Sequence, residues 1–215
     1  MAKRARAIVA KPKNSYFTSE KENIKFVSTG CAVLDCALGG GLALGRTANL
    51  VGDKSTAKTG TATEVMINFA NTFKDGAIAY RETEAAWDDA YAEAMGLPMD
   101  RIDFGDRDEP VITVEDFYHD FDAFCDARLK DKKPGCYVLD SFDALSDEAE
   151  MSRDIDKGSF GAAKAKKMSE MFRKLTRKQE QANVVWVGSD DAAVHAKLVE
   201  HLIFMWGQGR HARLG

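Results

Sequence analysis

Eight consecutive residues have the types and spacing that a phosphate-binding loop needs. They follow the apolar run of residues 48–51 and are Gly52, Asp53, Lys54, Ser55, Thr56, Ala57, Lys58 and Thr59. Such a loop surrounds phosphates with backbone N–H groups at a helix N-terminus, reaches the terminal phosphates with a lysine and holds Mg²⁺ with a hydroxyl. Lys58 and Thr59 supply the last two groups. We therefore predict that this segment, called the candidate phosphate loop below, binds a nucleotide.

Ala57 is the one departure from the loop pattern G-x-x-x-x-G-K-[ST]. Glycine is used where the backbone is left-handed or approaches a ligand closely, so a Cβ there is expected to cost about 1–3 kcal/mol or to push the phosphate outward. The alternative interpretation is an ordinary strand-turn-helix connection. The apolar run before the loop and the helical pattern after it, carried by Val65, Met66, Phe69 and Phe73, favour the phosphate site.

Length and composition predict one α/β domain without a membrane partner. The chain has 215 residues, 45% hydrophobic and 30% charged, and a formal net charge of −4, which argues weakly against a general nucleic-acid coat. No apolar run approaches the ~20 residues of a spanning helix, and the N-terminus lacks a signal-peptide core, so we expect a cytoplasmic protein. In such a compartment the four cysteines are expected to be small buried hydrophobes: Cys31, Cys36, Cys125 and Cys136.

The sequence divides into a basic N-terminal arm, residues 1–25, and a core, residues 26–215. The arm contains five cations within its first thirteen residues: Lys3, Arg4, Arg6, Lys11 and Lys13. Two interpretations of the arm remain open: a solvated tail, or a segment that docks on a neighbouring subunit or a polyanion.

Short apolar runs alternate with helical patterns along the core. The predicted strands cover residues 77–80, 102–104, 136–139 and 184–187. We expect Ser28 or Thr29 to cap a short helix, and Thr113 with Asp116 to form the capping box of a longer one. Alternation of strands and helices predicts an α/β fold, a mainly parallel sheet with helices on both faces.

Two carboxylates follow predicted strands at the end where α/β sheets bind ligands. Glu84 lies beyond the strand that ends at Tyr80, and it could orient or deprotonate the water that attacks a terminal phosphate. The alternative is a solvated acid in an acid-rich segment. Asp140 directly ends the run of residues 136–139, a pattern typical of an aspartate that holds Mg²⁺, often through water.

A series of short motifs around the candidate phosphate loop resembles a known family. Phe26-Val27-Ser28-Thr29-Gly30, Leu34-Asp35, Ala37-Leu38-Gly39 and Gly45-Arg46, followed by the loop, match in order and spacing the start of the RecA/RadA recombinase core, especially phage-type members. The resemblance covers about residues 26 to 206. It implies a RecA-like P-loop NTPase fold, ATP and Mg²⁺ as cofactors, and ATP-dependent assembly on single-stranded DNA for homologous pairing. Because the family binds nucleotide between subunits, it also implies a homo-oligomer or filament.

The resemblance also implies individual roles. Glu84 falls on the family's catalytic glutamate, Asp88 and Tyr91 fall on positions that contact the adenine, and Asp140 with Thr59 would hold Mg²⁺. The segment of residues 153–161 matches the first DNA-binding loop. Its cations, free N–H groups and aromatic ring suit a single-stranded backbone, and the candidate contacts are Arg153, Lys157, Gly158, Ser159, Phe160 and Lys164. A loop that merely leads into the next helix is the alternative.

The resemblance weakens near the C-terminus. Asp190 and Asp191 stand where the family has a polar amide pair, and residues 192–197 are too few for the second DNA-binding loop. Two acids beside a triphosphate repel it unless Mg²⁺ or a lysine intervenes. These departures and Ala57 favour an alternative, a nucleotide-impaired RecA-fold module, natural or engineered, with a binding or structural role. A third possibility is a helicase or clock-type relative, against which residues 26–41 argue.

Overall fold

A five-stranded parallel sheet organises the computed structural model, which describes residues 24–84, 87–146 and 161–191. The strands are β1 (Phe26–Val27), β2 (Leu42–Ala43), β3 (Thr47–Gly52), β4 (Ala77–Glu82), β5 (Ile102–Asp103), β6 (Gly135–Asp140) and β7 (Val184–Asp191). The helices are α1 (Ala32–Leu38), α2 (Lys58–Thr72), α3 (Asp89–Ala94), α4 (Val114–Asp131) and α5 (Gly161–Ala182), with a 3-10 turn at Met99–Arg101. The main sheet has the order β3-β7-β6-β4-β5, and β1 pairs antiparallel with β2. The predicted α/β fold is confirmed.

The two faces of the main sheet are buried by different helices. Along β7, Val185 and Val187 join the core that contains α2, whereas Val184 and Trp186 join the core that contains α4 and α5. Successive strand residues point to opposite faces, so a strand covered on both sides has to be apolar throughout. This explains why the central strands are continuous apolar runs in the sequence. Within the residues described, no helix combines the length and apolar character needed to span a membrane.

The helix start predicted at Thr113 is confirmed, whereas the one predicted at Ser28 or Thr29 is wrong. The Thr113 hydroxyl accepts the Asp116 N–H at 3.0 Å, and the Asp116 carboxylate accepts the Thr113 N–H at 3.0 Å. By contrast, α1 begins after Cys31 without a side-chain cap. Ser28 and Thr29 donate instead to the Asp35 carboxylate, which competes successfully for their hydroxyls.

The four cysteines divide into two classes. Cys125 and Cys136 are buried, as predicted, and burial raises the pKa of each thiol to about 12. Cys31 and Cys36 are exposed on either side of the first turn of α1, so the prediction of burial is wrong for them. Cys36 lies on α1, which buries none of its residues, and Cys31 directly precedes that helix.

An ionic network around the buried Arg81 side chain joins β4, β5, β6 and α4. The Arg81 guanidinium, with a side chain only 8% exposed, donates to Asp120 at 2.9 and 3.2 Å and to the Asp103 carboxylate at 3.0 Å. It also donates to the main-chain oxygens of Tyr80 and Asp103. The Tyr137 hydroxyl completes the network by donating to Asp120 at 2.6 Å. All five N–H donors of the Arg81 guanidinium have an acceptor, so this network fixes the sheet to α4.

Lysines of α5 are paired with carboxylates of α4. Lys178 donates to Asp122 at 2.5 Å and contacts Asp126 at 2.8 Å, and Lys167 donates to Glu115. These pairs cross from one helix to the other above the shared apolar core. The positive charge at these two positions therefore serves helix packing.

Candidate nucleotide-binding site

The carboxyl ends of the parallel strands lie at one edge of the sheet. Gly52 at the end of β3 pairs with Asp191 at the end of β7, and Glu82 at the end of β4 pairs with Asp140 at the end of β6. Ligands of open α/β sheets bind at this edge, where polar side chains from several strands converge. The topology thus brings together four regions of sequence that contain the predicted site residues.

The candidate phosphate loop connects β3 to the N-terminus of α2. Ser55 and Ala57 both have left-handed backbones, with φ of 63° and 65°. Ala57 precedes the first residue of α2 and takes the conformation that favours glycine, because a Cβ is crowded there. Two residues of the loop that are not glycine, Ser55 and Ala57, therefore have a backbone conformation that favours glycine.

Lys58 is held by three acceptors. Its Nζ donates to the main-chain oxygens of Gly52 at 2.8 Å and Asp53 at 3.0 Å, and to Asp191 Oδ1 at 2.9 Å. An ammonium group has three N–H donors, so these contacts use all of them. The lysine side chain is 15% exposed, and that of Asp191 is 49% exposed. The cation lies within the loop, with one face toward the end of β7.

Thr59 and Asp140 meet beside the lysine. The Thr59 hydroxyl donates to Asp140 Oδ2 at 2.5 Å, and the Tyr80 hydroxyl donates to the same oxygen at 3.2 Å. Ser189 donates to the other carboxylate oxygen. Burial, together with the nearby charge of Asp140, raises the pKa of Tyr80, so its hydroxyl remains a donor at neutral pH. The result is a fixed, almost fully buried carboxylate next to a hydroxyl.

Glu84 is exposed just beyond β4, where it is tied to the end of β6. Ser141 donates its hydroxyl hydrogen bond to the Glu84 carboxylate. The Thr83 hydroxyl accepts the Ser141 N–H at 2.7 Å, which joins the two segments. Glu84 is therefore hydrogen-bonded to the residue that directly follows Asp140, and the roles of both carboxylates stay predictions.

The two aspartates at the end of β7 have different surroundings. Asp190 is fully buried and accepts from Asn49 Nδ2 at 2.5 Å, whereas Asp191 accepts from Lys58. The Asp191 N–H donates to Asp143 Oδ2 at 2.5 Å, which fixes its main chain. Of the two acids that were expected to lie beside the phosphates, Asp190 is buried and Asp191 pairs with Lys58 of the candidate phosphate loop.

Asp88 and Tyr91 lie at the start of α3. The Asp88 carboxylate caps the helix by accepting the Tyr91 N–H at 3.0 Å, and the Tyr91 side chain is 59% exposed. Among the described residues, no hydrogen bond joins either of them to the candidate phosphate loop. Their adenine contacts stay predictions.

Several predictions fall on parts of the chain outside the described residues. These are the DNA-binding candidates Arg153, Lys157, Gly158, Ser159 and Phe160, the segment 192–206 and the arm up to residue 23. Lys164 belongs to α5, but the structure does not describe its side chain.

Sequence reasoning missed the side chains that hold the acids in place. Tyr80 and Ser189 bind Asp140, Asn49 binds Asp190, and Asp143 binds the main chain of Asp191. All four lie on a strand of the main sheet or just after one. A search for polar residues at these positions would have found them. Their partners are far away in sequence, so the pairing itself depended on the sheet order.

The fold and this edge define a class, the RecA-like α/β core. A parallel five-stranded sheet, helices on both faces and polar groups gathered at the carboxyl ends are its features. The chain belongs to the family of the RecA N-terminal domain, whose model matches residues 13–192.

Proposed function

We propose that this protein binds Mg²⁺ and ATP at the candidate phosphate loop and acts as a RecA-type recombinase, phage-type by its motifs. In this role it assembles as a homo-oligomer or filament on single-stranded DNA and promotes homologous pairing. The observation that carries the nucleotide site is the meeting of Lys58, Thr59 and Asp140 at the N-terminus of α2. Membership of the RecA family supports the DNA and assembly parts in general terms.

The donor set at this site suits Mg²⁺. Thr59 and Asp140 offer a hydroxyl and a carboxylate, the hard oxygen ligands that Mg²⁺ prefers. Mg²⁺ usually takes one or two ligands from the protein and the others from phosphates and water. When bound there, Mg²⁺ would neutralise charge on the phosphate oxygens.

The other steps of phosphoryl transfer are assigned to separate groups of the chain. The loop N–H groups at the start of α2 receive the phosphates, and Lys58 binds the terminal ones. Glu84 orients the attacking water and accepts its proton, while Ser141 fixes the direction of the Glu84 carboxylate. Asp88 and Tyr91 present an aspartate and an exposed aromatic ring to the adenine.

A second candidate function is a nucleotide-impaired RecA-fold module with a binding or structural role. Two observations favour it. All three donors of Lys58 are used within the protein, and Ala57 is strained in the position of the missing glycine. Both features weaken nucleotide binding relative to a loop with glycine and a free lysine.

ATP binding and turnover, with and without single-stranded DNA, distinguish the two candidates. We expect wild type to bind Mg·ATP, Lys58→Ala to bind it about 10- to 100-fold more weakly, and Glu84→Gln to bind it normally but without turnover. Turnover stimulated by single-stranded DNA supports the recombinase function. Binding that is equal in wild type and Lys58→Ala refutes the site, and DNA binding without any turnover favours the impaired module.

A further inference from the structure

Asp191 occupies the ammonium group that the nucleotide would need. Asp191 Oδ1 lies 2.9 Å from Lys58 Nζ, and the other two donors of Lys58 bind the main-chain oxygens of Gly52 and Asp53. No donor is left over for a phosphate oxygen. A phosphate that binds Lys58 must therefore replace at least one of these three partners.

The carboxylate is the partner most easily replaced. The carbonyl groups of Gly52 and Asp53 belong to the loop backbone, whereas the Asp191 carboxylate is at the end of a side chain that is about half exposed. It is also the only anion of the three, so it is the partner that a phosphate opposes directly.

A displaced Asp191 carboxylate stays close to the site. Its main chain is fixed by the hydrogen bond of its N–H to Asp143 and by strand pairing with Gly52. The negative charge therefore remains within one side-chain length of Lys58, well inside the Debye length of about 8 Å at physiological salt. Asp190 contributes no such competition, because it is fully buried and bound to Asn49.

We propose that Asp191 is a specificity-determining residue: its carboxylate competes with the terminal phosphate for Lys58 and lowers the affinity for a nucleoside triphosphate more than for a diphosphate. The inference rests on the proposed nucleotide site. The lysine of such a loop reaches the last phosphates of the ligand, and the triphosphate brings one more charged group to that place. Release of Asp191 costs the same for both ligands, but the remaining repulsion is larger for the triphosphate.

Calorimetric titration of the full chain with Mg·ATP and Mg·ADP tests this. We expect Asp191→Asn to raise the affinity for ATP by about fivefold and that for ADP by clearly less, with the gain shrinking at high salt. Glu170→Gln is the matched control, because it also removes an exposed carboxylate that pairs with a lysine, Lys174 at 2.7 Å, but on α5, which packs on the opposite face of the sheet from α2. It should leave the affinities for both nucleotides unchanged.

The outcomes separate this inference from the proposed function. If Lys58→Ala binds as well as wild type, or if neither wild type nor Asp191→Asn binds, the nucleotide site fails and the inference fails with it. If Lys58→Ala loses binding while Asp191→Asn keeps the wild-type ratio of ATP to ADP affinity, only the inference is overturned. Asp191→Ala serves as a second variant should the amide re-form a contact with the lysine, and thermal unfolding checks that both variants fold.

Discussion

Arg81 and Lys58 each bind a carboxylate at 2.9 Å, yet their surroundings differ. Arg81 is almost fully buried and its donors are divided among Asp120, Asp103 and main-chain oxygens. Lys58 binds its own loop and Asp191, a side chain that is half exposed. One ion pair therefore joins strands of the sheet to α4, and the other joins a loop lysine to a half-exposed carboxylate.

The difference in burial predicts a difference in energy. Removing one partner of a buried ion pair typically costs about 3–5 kcal/mol, whereas an exposed pair contributes about 0–1 kcal/mol. A binding site that must release a partner for its ligand has to use the second kind. Asp191, 49% exposed, has that property toward Lys58, whereas Arg81 keeps the less exposed Asp120, at 32%, in addition to Asp103, at 59%.

Arg81→Met should have the largest effect on folding. The variant keeps much of the apolar side-chain stem but leaves Asp120 without its guanidinium partner, so we expect the free energy of unfolding to fall by about 3 kcal/mol. Urea denaturation followed by circular dichroism measures it. A loss below about 1 kcal/mol would mean that the buried network is not structural.

The control for Arg81 is Arg107→Met. Arg107 binds Asp89 at 3.0 Å, but both side chains are more than half exposed. We expect a change in the free energy of unfolding below about 1 kcal/mol. Equal losses in the two variants would remove the distinction between the buried and exposed pairs.

The sequence predicted the elements that local patterns determine. The strands β4, β6 and β7 are apolar because both their faces are covered, and the Thr113 capping box needs only residues three apart. The prediction that Ser28 or Thr29 caps α1 was wrong because the Asp35 carboxylate, six or seven residues further along, binds both hydroxyls.

The contacts between residues far apart in the chain could not be predicted from the sequence. Lys58 and Asp191 are 133 residues apart, and Arg81 and Asp120 are 39 apart. The first pair meets because the strand order places β7 beside β3, and the second because α4 packs on the face of the sheet that contains β4 and β6. The family resemblance named Asp191 as a departure, but only the sheet register assigns Lys58 as its partner.

Ala57→Gly tests whether the candidate phosphate loop is strained. Ala57 has φ of 65°, and glycine adopts that conformation without the crowding of a Cβ, so we expect the variant to gain about 1 kcal/mol in stability and to bind Mg·ATP more tightly. Ala127→Gly is the matched control, since this exposed residue of α4 has a helical backbone and should lose about 1 kcal/mol. The same sign in both variants would mean that the loop is not strained at Ala57.

Asp103→Asn tests the Arg81 network by pH and has the smallest expected effect. Partial burial opposes ionisation of Asp103, but the Gly105 N–H and the Arg81 guanidinium outweigh it and hold the pKa of the carboxyl below its ordinary value. A lowered pKa in the folded state stabilises the protein above the unfolded pKa of about 4, and this contribution disappears as the pH falls through the folded pKa. Wild type should therefore be more stable than Asp103→Asn at pH 6, and the difference in the free energy of unfolding should shrink steadily below about pH 4.

Urea denaturation at several pH values measures this difference, and an NMR titration of the Asp103 carboxyl carbon gives its folded pKa independently. A difference that stays constant with pH would show that Asp103 packs against Arg81 without depending on its charge.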